Sequence, residues 1–111
     1  MANTFKLKTF DGSSTAANAA MTVYTAPAAT TTVVLGITLA NITTNTIYAT
    51  VLIENNDVDN INFLKGVPIP TGSSIEVMSG NKLILETSDV LKVKSDTANS
   101  IDTTLSIMEQ A

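Results

Sequence analysis

Apolar and other side chains alternate with a period of two along much of this chain, in short segments that end at turn-forming residues. In residues 46–54, for example, Ile47, Ala49, Val51 and Ile53 alternate with Tyr, Thr and Leu. Such alternation separates the two faces of a strand, and Val, Ile and Thr favour strands. The predicted strands are residues 4–10, 21–25, 31–40, 46–54, 61–65, 74–79, 82–86, 90–94 and 101–108.

Short strands separated by turn signals about every 8–12 residues are typical of sandwiches and barrels. We therefore predict an all-β chain, a single small antiparallel β-sandwich of the jelly-roll or immunoglobulin-like kind, with eight or nine short strands. The 111 residues fit one domain, residues 1–111, in which residues 1–20 form an N-terminal arm and loop. Residues 66–72 contain two prolines, so we expect them to cross between sheets rather than form an interior strand.

Several predicted strands carry apolar residues on both faces. In residues 31–40 we assign Val33, Leu35, Ile37 and Leu39 to the core. Opposite the predicted core faces lie Val34, Tyr48, Leu52, Leu64, Met78, Ile84 and Met108. These are either scattered surface residues or residues that a neighbouring subunit covers. Under the second interpretation, which favours a homo-oligomer, the candidate interface residues are Phe5, Leu7, Tyr48, Leu52, Leu64 and Ile84.

The composition argues against several classes of function. Charged residues make up 14% of the chain, the net charge is −4, and the six basic residues are all Lys. Nucleic-acid binding needs clustered cations, so we do not expect it. The chain has no His and no Cys, which removes the common general base, the common nucleophile pairs, disulfides and the usual zinc sites. We therefore expect no enzyme activity and no cofactor.

Membrane association and secretion are not expected either. The longest apolar-rich run, residues 33–42, is too short to span a bilayer. The first ten residues have no apolar core of a signal peptide, since lysines alternate with Phe5 and Leu7.

Three weaker candidates for a binding site remain. Asp57 and Asp59 are separated by one residue, which places two carboxylates close together. They belong to a solvated turn or form a weak Ca²⁺ site. Tyr24 and Tyr48 are half-buried strand residues or a small platform for sugars. Residues 41–43, Asn-Ile-Thr, match a glycosylation acceptor, which we interpret as a coincidence.

Two stretches of the chain resemble a known group of proteins. The first contains YTAP at residues 24–27 and VVLGITLAN at residues 33–41. The second contains VPIPTGSS at residues 67–74, GNKLILE at residues 80–86 and DVLKVKS at residues 89–95. This pattern resembles small virion structural proteins of tailed phages, including marine and cyanobacterial phages, and the resemblance covers residues 20–108.

The resemblance implies a structural virion protein, assembled in the host cytoplasm, whose partners are the major capsid protein or tail proteins. The leading hypothesis is a capsid decoration (cement) protein. The alternatives are a tail, neck or fibre-associated component and, from another class, a carbohydrate-binding module that uses Tyr24 or Tyr48 and the loop at residues 57–59. One route to assembly is strand addition, in which residues 3–10 pair with a neighbour's sheet edge.

Overall fold

The computed structural model describes residues 3–55, 59–78 and 82–111, which contain nine strands and no helix. The strands are β1 (Asn3–Phe10), β2 (Met21–Thr25), β3 (Thr31–Asn41), β4 (Ile47–Glu54), β5 (Asn60–Ile69), β6 (Ser74–Glu76), β7 (Leu83–Leu85), β8 (Val90–Ser95) and β9 (Ile101–Gln110). Alternation thus predicted each strand, and most of the predicted ends lie within two residues of the observed ones.

The strands form two antiparallel sheets that pack face to face. One sheet has the order β1-β9-β3-β6, with β7 also paired to β3, and the other has the order β2-β8-β4-β5. We call them the five-stranded and the four-stranded sheet. The chain changes sheet at nearly every connection and stays in one sheet only from β4 to β5 and from β6 to β7. This order is a jelly roll, which decides between the two predicted kinds of sandwich.

β6 and β7 together act as one interrupted edge strand. β6 pairs with residues 38–40 of β3, and β7 pairs with residues 32–34 on the same strand. Both are antiparallel to β3, so they run in the same direction and do not form a hairpin with each other. The turn predicted at Gly80 and Asn81 lies outside the described residues. Met78, predicted to point outward, is 2% exposed and belongs to the core, because the chain leaves the edge of β3 after Val77.

The core lies between the inner faces of the sheets. On β4 the predicted inward set is buried, as are Leu91 and Val93 of β8 and Leu105 and Ile107 of β9. Leu64 of β5 was expected to face outward, and this is wrong. It lies opposite Val51, which is fully buried, and it packs against the core because β5 has an extra residue opposite β4 at two register shifts, which change the alternation of β5.

The inward set predicted for β3 is also only half correct. Ile37 and Leu39 are buried, but the first half of the strand buries Thr32 and Val34 instead of Val33 and Leu35. A β-bulge between Val34 and Gly36 opposite β9 explains the change. A bulge inserts one extra residue, so the inward residues are even-numbered before it and odd-numbered after it.

The proline-containing segment is partly a strand. β5 continues through Pro68 to Ile69 and pairs with β4 along the edge of the four-stranded sheet. An edge strand tolerates proline because one side of its backbone has no ladder partner. The crossing to the other sheet therefore takes place over residues 70–73.

Candidate functional site

The first strand is an outer edge strand that projects two large apolar side chains. β1 pairs with β9 in one unbroken register, from Asn3 opposite Gln110 to Phe10 opposite Thr103. Lys6 and Lys8 lie opposite the buried Ile107 and Leu105, so they share the inner side of the sheet. Phe5 and Leu7 therefore point outward, and they are 73% and 66% exposed.

Phe5 is the first member of a line of apolar side chains across the five-stranded sheet. The registers place Phe5 opposite Met108, Met108 opposite Val33, and Val33 opposite Ile84. Ile84 is 61% exposed, while Met108 and Val33 are partly exposed. We call these four residues the apolar row. It spans β1, β9, β3 and β7 on the outer face, and residues directly opposite each other in antiparallel strands lie in side-chain contact range.

The surroundings of the apolar row carry little charge. Within the strands of this sheet, the outward carboxylates are Asp102 and Glu76, and both lie toward the other end of the strands. The described charged residues nearest the apolar row are Lys82 and Glu86, which flank Ile84 just outside β7. Asp102 accepts the Gly12 N–H at 2.9 Å, and Glu76 accepts the N–H groups of Ile37 and Met78 at 3.1 and 3.0 Å. Both carboxylates are therefore already used inside the chain.

The outer face of the four-stranded sheet has a different character. Tyr48 and Leu52 of β4 point outward there, but Leu52 lies opposite Lys92 and Asn62. Lys92 forms an ion pair of 2.7 Å with Glu54, and Lys94 lies opposite Thr50. The six candidate interface residues thus separate. Phe5, Leu7 and Ile84 share one face, Tyr48 and Leu52 share the opposite face, and Leu64 packs partly into the core.

A polar cluster ties the sheets together at the edge formed by β1 and β2. The Tyr24 hydroxyl donates to Glu109 at 2.5 Å and lies 2.8 Å from the Thr32 hydroxyl. Lys6 forms an ion pair of 2.7 Å with the other Glu109 oxygen. Burial, followed by the Glu109 hydrogen bond, raises the pKa of Tyr24 to about 12. Hydrogen bonds from Lys6 and Tyr24 lower the pKa of Glu109 from its ordinary value.

The residues of the predicted sugar or Ca²⁺ site, namely the two tyrosines and the acidic loop, do not come together in the fold. Tyr24 is 6% exposed and its hydroxyl is already bonded, so it offers no stacking surface. Tyr48 is half-exposed, but it lies near the start of β4, and Asp59 lies beyond the end, roughly 20 Å away along the strand. Asp57 lies outside the described residues. In the parts of the chain that the structure describes, no three His, Cys, Asp or Glu residues are grouped to hold a metal.

Asn41, the potential glycosylation acceptor, has a structural role. It is 6% exposed, and its side-chain nitrogen donates to the Asn45 and Ile69 carbonyls, both at 2.8 Å. Its side-chain oxygen accepts the N–H and the hydroxyl of Thr43 at 2.8 and 2.7 Å. The amide nitrogen that a glycan would modify is therefore buried in hydrogen bonds, in agreement with the interpretation as a coincidence.

Sequence reasoning missed a polar cleft at one end of the sandwich. It has a volume of about 460 Å³, and its lining includes Thr30, Asn55, Glu86, Thr87 and Asp89. These residues belong to three separate connections, so no single motif reveals them. Described residues of the cleft include no aromatic side chain. Residues 3–55, 59–78 and 82–111 also contain no helix that is long and apolar enough to cross a membrane.

The fold defines the class to which the chain belongs: a jelly-roll β-sandwich, an architecture that viral capsid and lectin domains use. No protein-family model matches the sequence, and no curated protein does. Solved structures do match the fold. One is a chain from the disulfide-linked pili of Bacillus endospore appendages, with 14% identity, a TM-score of 0.53, and coverage of 97% of this chain and 84% of that one.

Another similar chain comes from the acid-stable capsid of Helicobacter pylori bacteriophage KHP30. It has 12% identity and a TM-score of 0.51, and the match covers 98% of this chain and 87% of that one. At these identities the likeness extends to the fold. Unlike the disulfide-linked pili, this sequence has no cysteine with which to form such bonds.

Proposed function

We propose that the chain is a structural protein of a phage particle and, within the particle, a capsid decoration protein that stabilises the shell through protein–protein contacts. The observation that carries the proposal is the apolar row on an outer face of low charge. Exposed apolar side chains that are contiguous mark contact surfaces. The jelly roll, the phage-like sequence motifs and the similarity to a chain of a phage capsid support the same role.

The role is mechanical and needs no catalytic group or cofactor. Contacts that are weak in one copy become strong when many copies bind neighbouring sites on a shell, because binding at linked sites adds avidity without any new type of contact. A surface made mostly of Thr, Ser and apolar side chains suits this role, since few ions have to lose water when it is covered.

Two features favour the shell over the tail. The longest strand, β3, has 11 residues, and the domain measures 45 × 27 × 24 Å. The described residues thus contain no long hairpin of the kind with which a tail-tube subunit extends into a ring. A tail, neck or fibre-associated position is the alternative, and it would use the same apolar row.

The test is binding to particles. Purified chain is mixed with shells of the phage whose genome encodes it, assembled without this protein, and binding is measured by co-sedimentation. Saturable binding is expected, with a rise in the temperature at which the shells release DNA. Immunogold labelling of complete particles then gives the position. Label on tails would replace the decoration role with the tail alternative, and absence from particles would overturn both.

A further inference from the structure

We propose that two copies of this chain form a symmetric dimer through the outer faces of their five-stranded sheets, with the apolar row of one copy packed on the apolar row of the other. This contact is a property of the free chain and needs no other protein. Because it covers the same apolar row that the proposed shell contact uses, the dimer must dissociate before a copy binds a shell through that row. The occupant of the surface is a second copy, and three observations support a weak, reversible contact of this kind.

The first observation is the charge of the face. Apart from Lys82 and Glu86, the outward charges in the described strands of this face are Glu76 and Asp102, which lie five or six residues from the apolar row along their strands, roughly 15–20 Å away. The lysines of β1 belong to the inner side of the strand. A face that meets its own copy must not place like charges together, and the part of this face around the apolar row fulfils that condition.

The second observation is the arrangement of charge beside Ile84. Lys82 and Glu86 lie two residues before and two residues after Ile84, and all three are exposed. A two-fold axis that runs along the apolar row reverses the direction of β7 in the second copy. Lys82 of one copy then faces Glu86 of the other. The symmetry therefore gives two Lys82–Glu86 pairs, one on each side of the axis, as expected for an interface in which both copies use the same patch.

The third observation is the size of the face. β1, β9 and β3 extend only two residues beyond the apolar row at one end, so a two-fold axis along the row overlays about five residues of each strand. At about 3.4 Å per residue and 4.8 Å per strand, this covers roughly 330 Å² on each copy. The pair buries roughly 650 Å² in total, the size of a weak and reversible contact. The four-stranded sheet is a poorer self-contact, because a pairing through its outer face would bury the Lys92–Glu54 ion pair.

The test measures the association state of the full chain by sedimentation velocity over a range of concentrations. The unchanged chain is expected to dimerise, and Ile84→Lys is expected to weaken dimerisation at least tenfold, because it places a charge in the apolar row. Ile84 is an exposed edge residue, so this variant should keep its fold. Tyr48→Lys, an equally drastic change on the opposite face, is the matched control and should dimerise like the unchanged chain.

A distance measurement tests the face-to-face geometry. Since the chain has no cysteine, Ser106→Cys gives a single thiol on the outer face, two residues from the apolar row along β9, for a spin label. Packed sheets lie about 10 Å apart, so the two labels should lie within roughly 20 Å of each other. A label at Asn62→Cys, on the edge of the four-stranded sheet, should give a clearly longer distance.

A monomer at all concentrations overturns the dimer, and so does a dimer that persists in Ile84→Lys or dissociates in Tyr48→Lys. A long Ser106→Cys distance overturns the face-to-face geometry. These outcomes are separate from the particle role. A dimer that never binds shells contradicts the decoration role alone, while a monomer that binds them contradicts the dimer alone.

Discussion

The Tyr24 hydroxyl and the Glu109 carboxylate are joined by a hydrogen bond of 2.5 Å that links β2 of one sheet to β9 of the other. The second oxygen of the same carboxylate binds Lys6 of β1 at 2.7 Å. One carboxylate thus holds three strands at the edge where the N-terminal strand lies. Tyr24 is nearly enclosed, so its ionisation reports directly on this link.

We expect Tyr24 to ionise near pH 12 in the folded chain. Its pKa is raised from 10.0 to about 12, so the link contributes its full stability below pH 10 and loses it as the pH rises through 12. The chain has two tyrosines, so Tyr48→Phe leaves Tyr24 as the one that absorbs as tyrosinate. Glu109→Gln in that background should move the titration toward pH 10. A folded chain that already titrates at pH 10 would contradict the cluster.

Gly12 should tolerate no side chain. A Cβ atom built there would lie 1.6 Å from the backbone oxygen of Ile101, so the loop or β9 has to move. We expect Gly12→Ala to lower the free energy of unfolding by about 3 kcal/mol, measured by urea denaturation. Gly36→Ala is the control, since its Cβ would meet a flexible Glu76 carboxylate at 3.6 Å. Equal effects of the two substitutions would show that the close approach is not the cause.

Asn41 should stabilise the fold through its side-chain amide. Asn41→Ala leaves the Ile69 carbonyl without its buried donor, and an unsatisfied buried acceptor costs about 1–3 kcal/mol. We expect a loss of this size in urea denaturation, while Asn62→Ala on the exposed edge strand should change stability by less than about 0.5 kcal/mol. Expression in a glycosylating host should give a chain of unchanged mass. A glycan on Asn41 would contradict the buried position.

Removal of the N-terminal strand should separate folding from assembly. β1 is mostly exposed and forms the outer edge of its sheet, so the remaining strands still enclose the core. We expect deletion of residues 1–12 to abolish binding to shells and to retain the β-type circular dichroism spectrum. Assembly through the apolar row and assembly through strand addition both use β1, so both hypotheses predict that the deletion abolishes binding. Shell binding that survives the deletion would exclude a role of β1 in assembly.

A second variant distinguishes those two routes. Phe5→Ser with Leu7→Ser keeps the backbone of β1, and therefore its ability to pair with a neighbour's strand, but removes two large apolar side chains that are 73% and 66% exposed. If strand addition drives assembly, this variant should still bind shells. If the apolar row drives it, binding should fall as it does after the deletion.

The sequence predicted the strands because alternation is a local property, and nearly every strand here buries one face. The sequence could not predict that the inward-facing residues of β3 change from even to odd numbers after Val34. The bulge that causes this change depends on pairing with β9, a strand about 70 residues later in the chain. The same reason explains Leu64, whose inward position follows from two extra residues that β5 inserts opposite β4. The two halves of the interrupted edge strand likewise depend on which part of β3 each one meets.

The candidate interface was predicted as a set of residues but not as a surface. Phe5, Leu7 and Ile84 were selected one by one for being apolar, and only the registers of β1, β9, β3 and β7 show that Phe5 and Ile84 belong to one row. Met108 and Val33 connect Phe5 to Ile84 in this row. The sequence analysis predicts Met108 to face outward, which agrees with the row, but it assigns Val33 to the core. Sheet pairing between distant segments supplied the missing information.

The bulge in β3 also determines where this strand can change length during evolution. Without Leu35, the inward residues Thr32, Val34, Ile37, Leu39 and Asn41 would follow one unbroken alternation, and both halves would keep their present faces. Loss of Gly36 would have the same effect, whereas a deletion farther from the bulge would turn buried side chains to the outside. Homologues one residue shorter in β3 are therefore expected to lack a residue at position 35 or 36 and to have a flatter, regular ladder opposite β9.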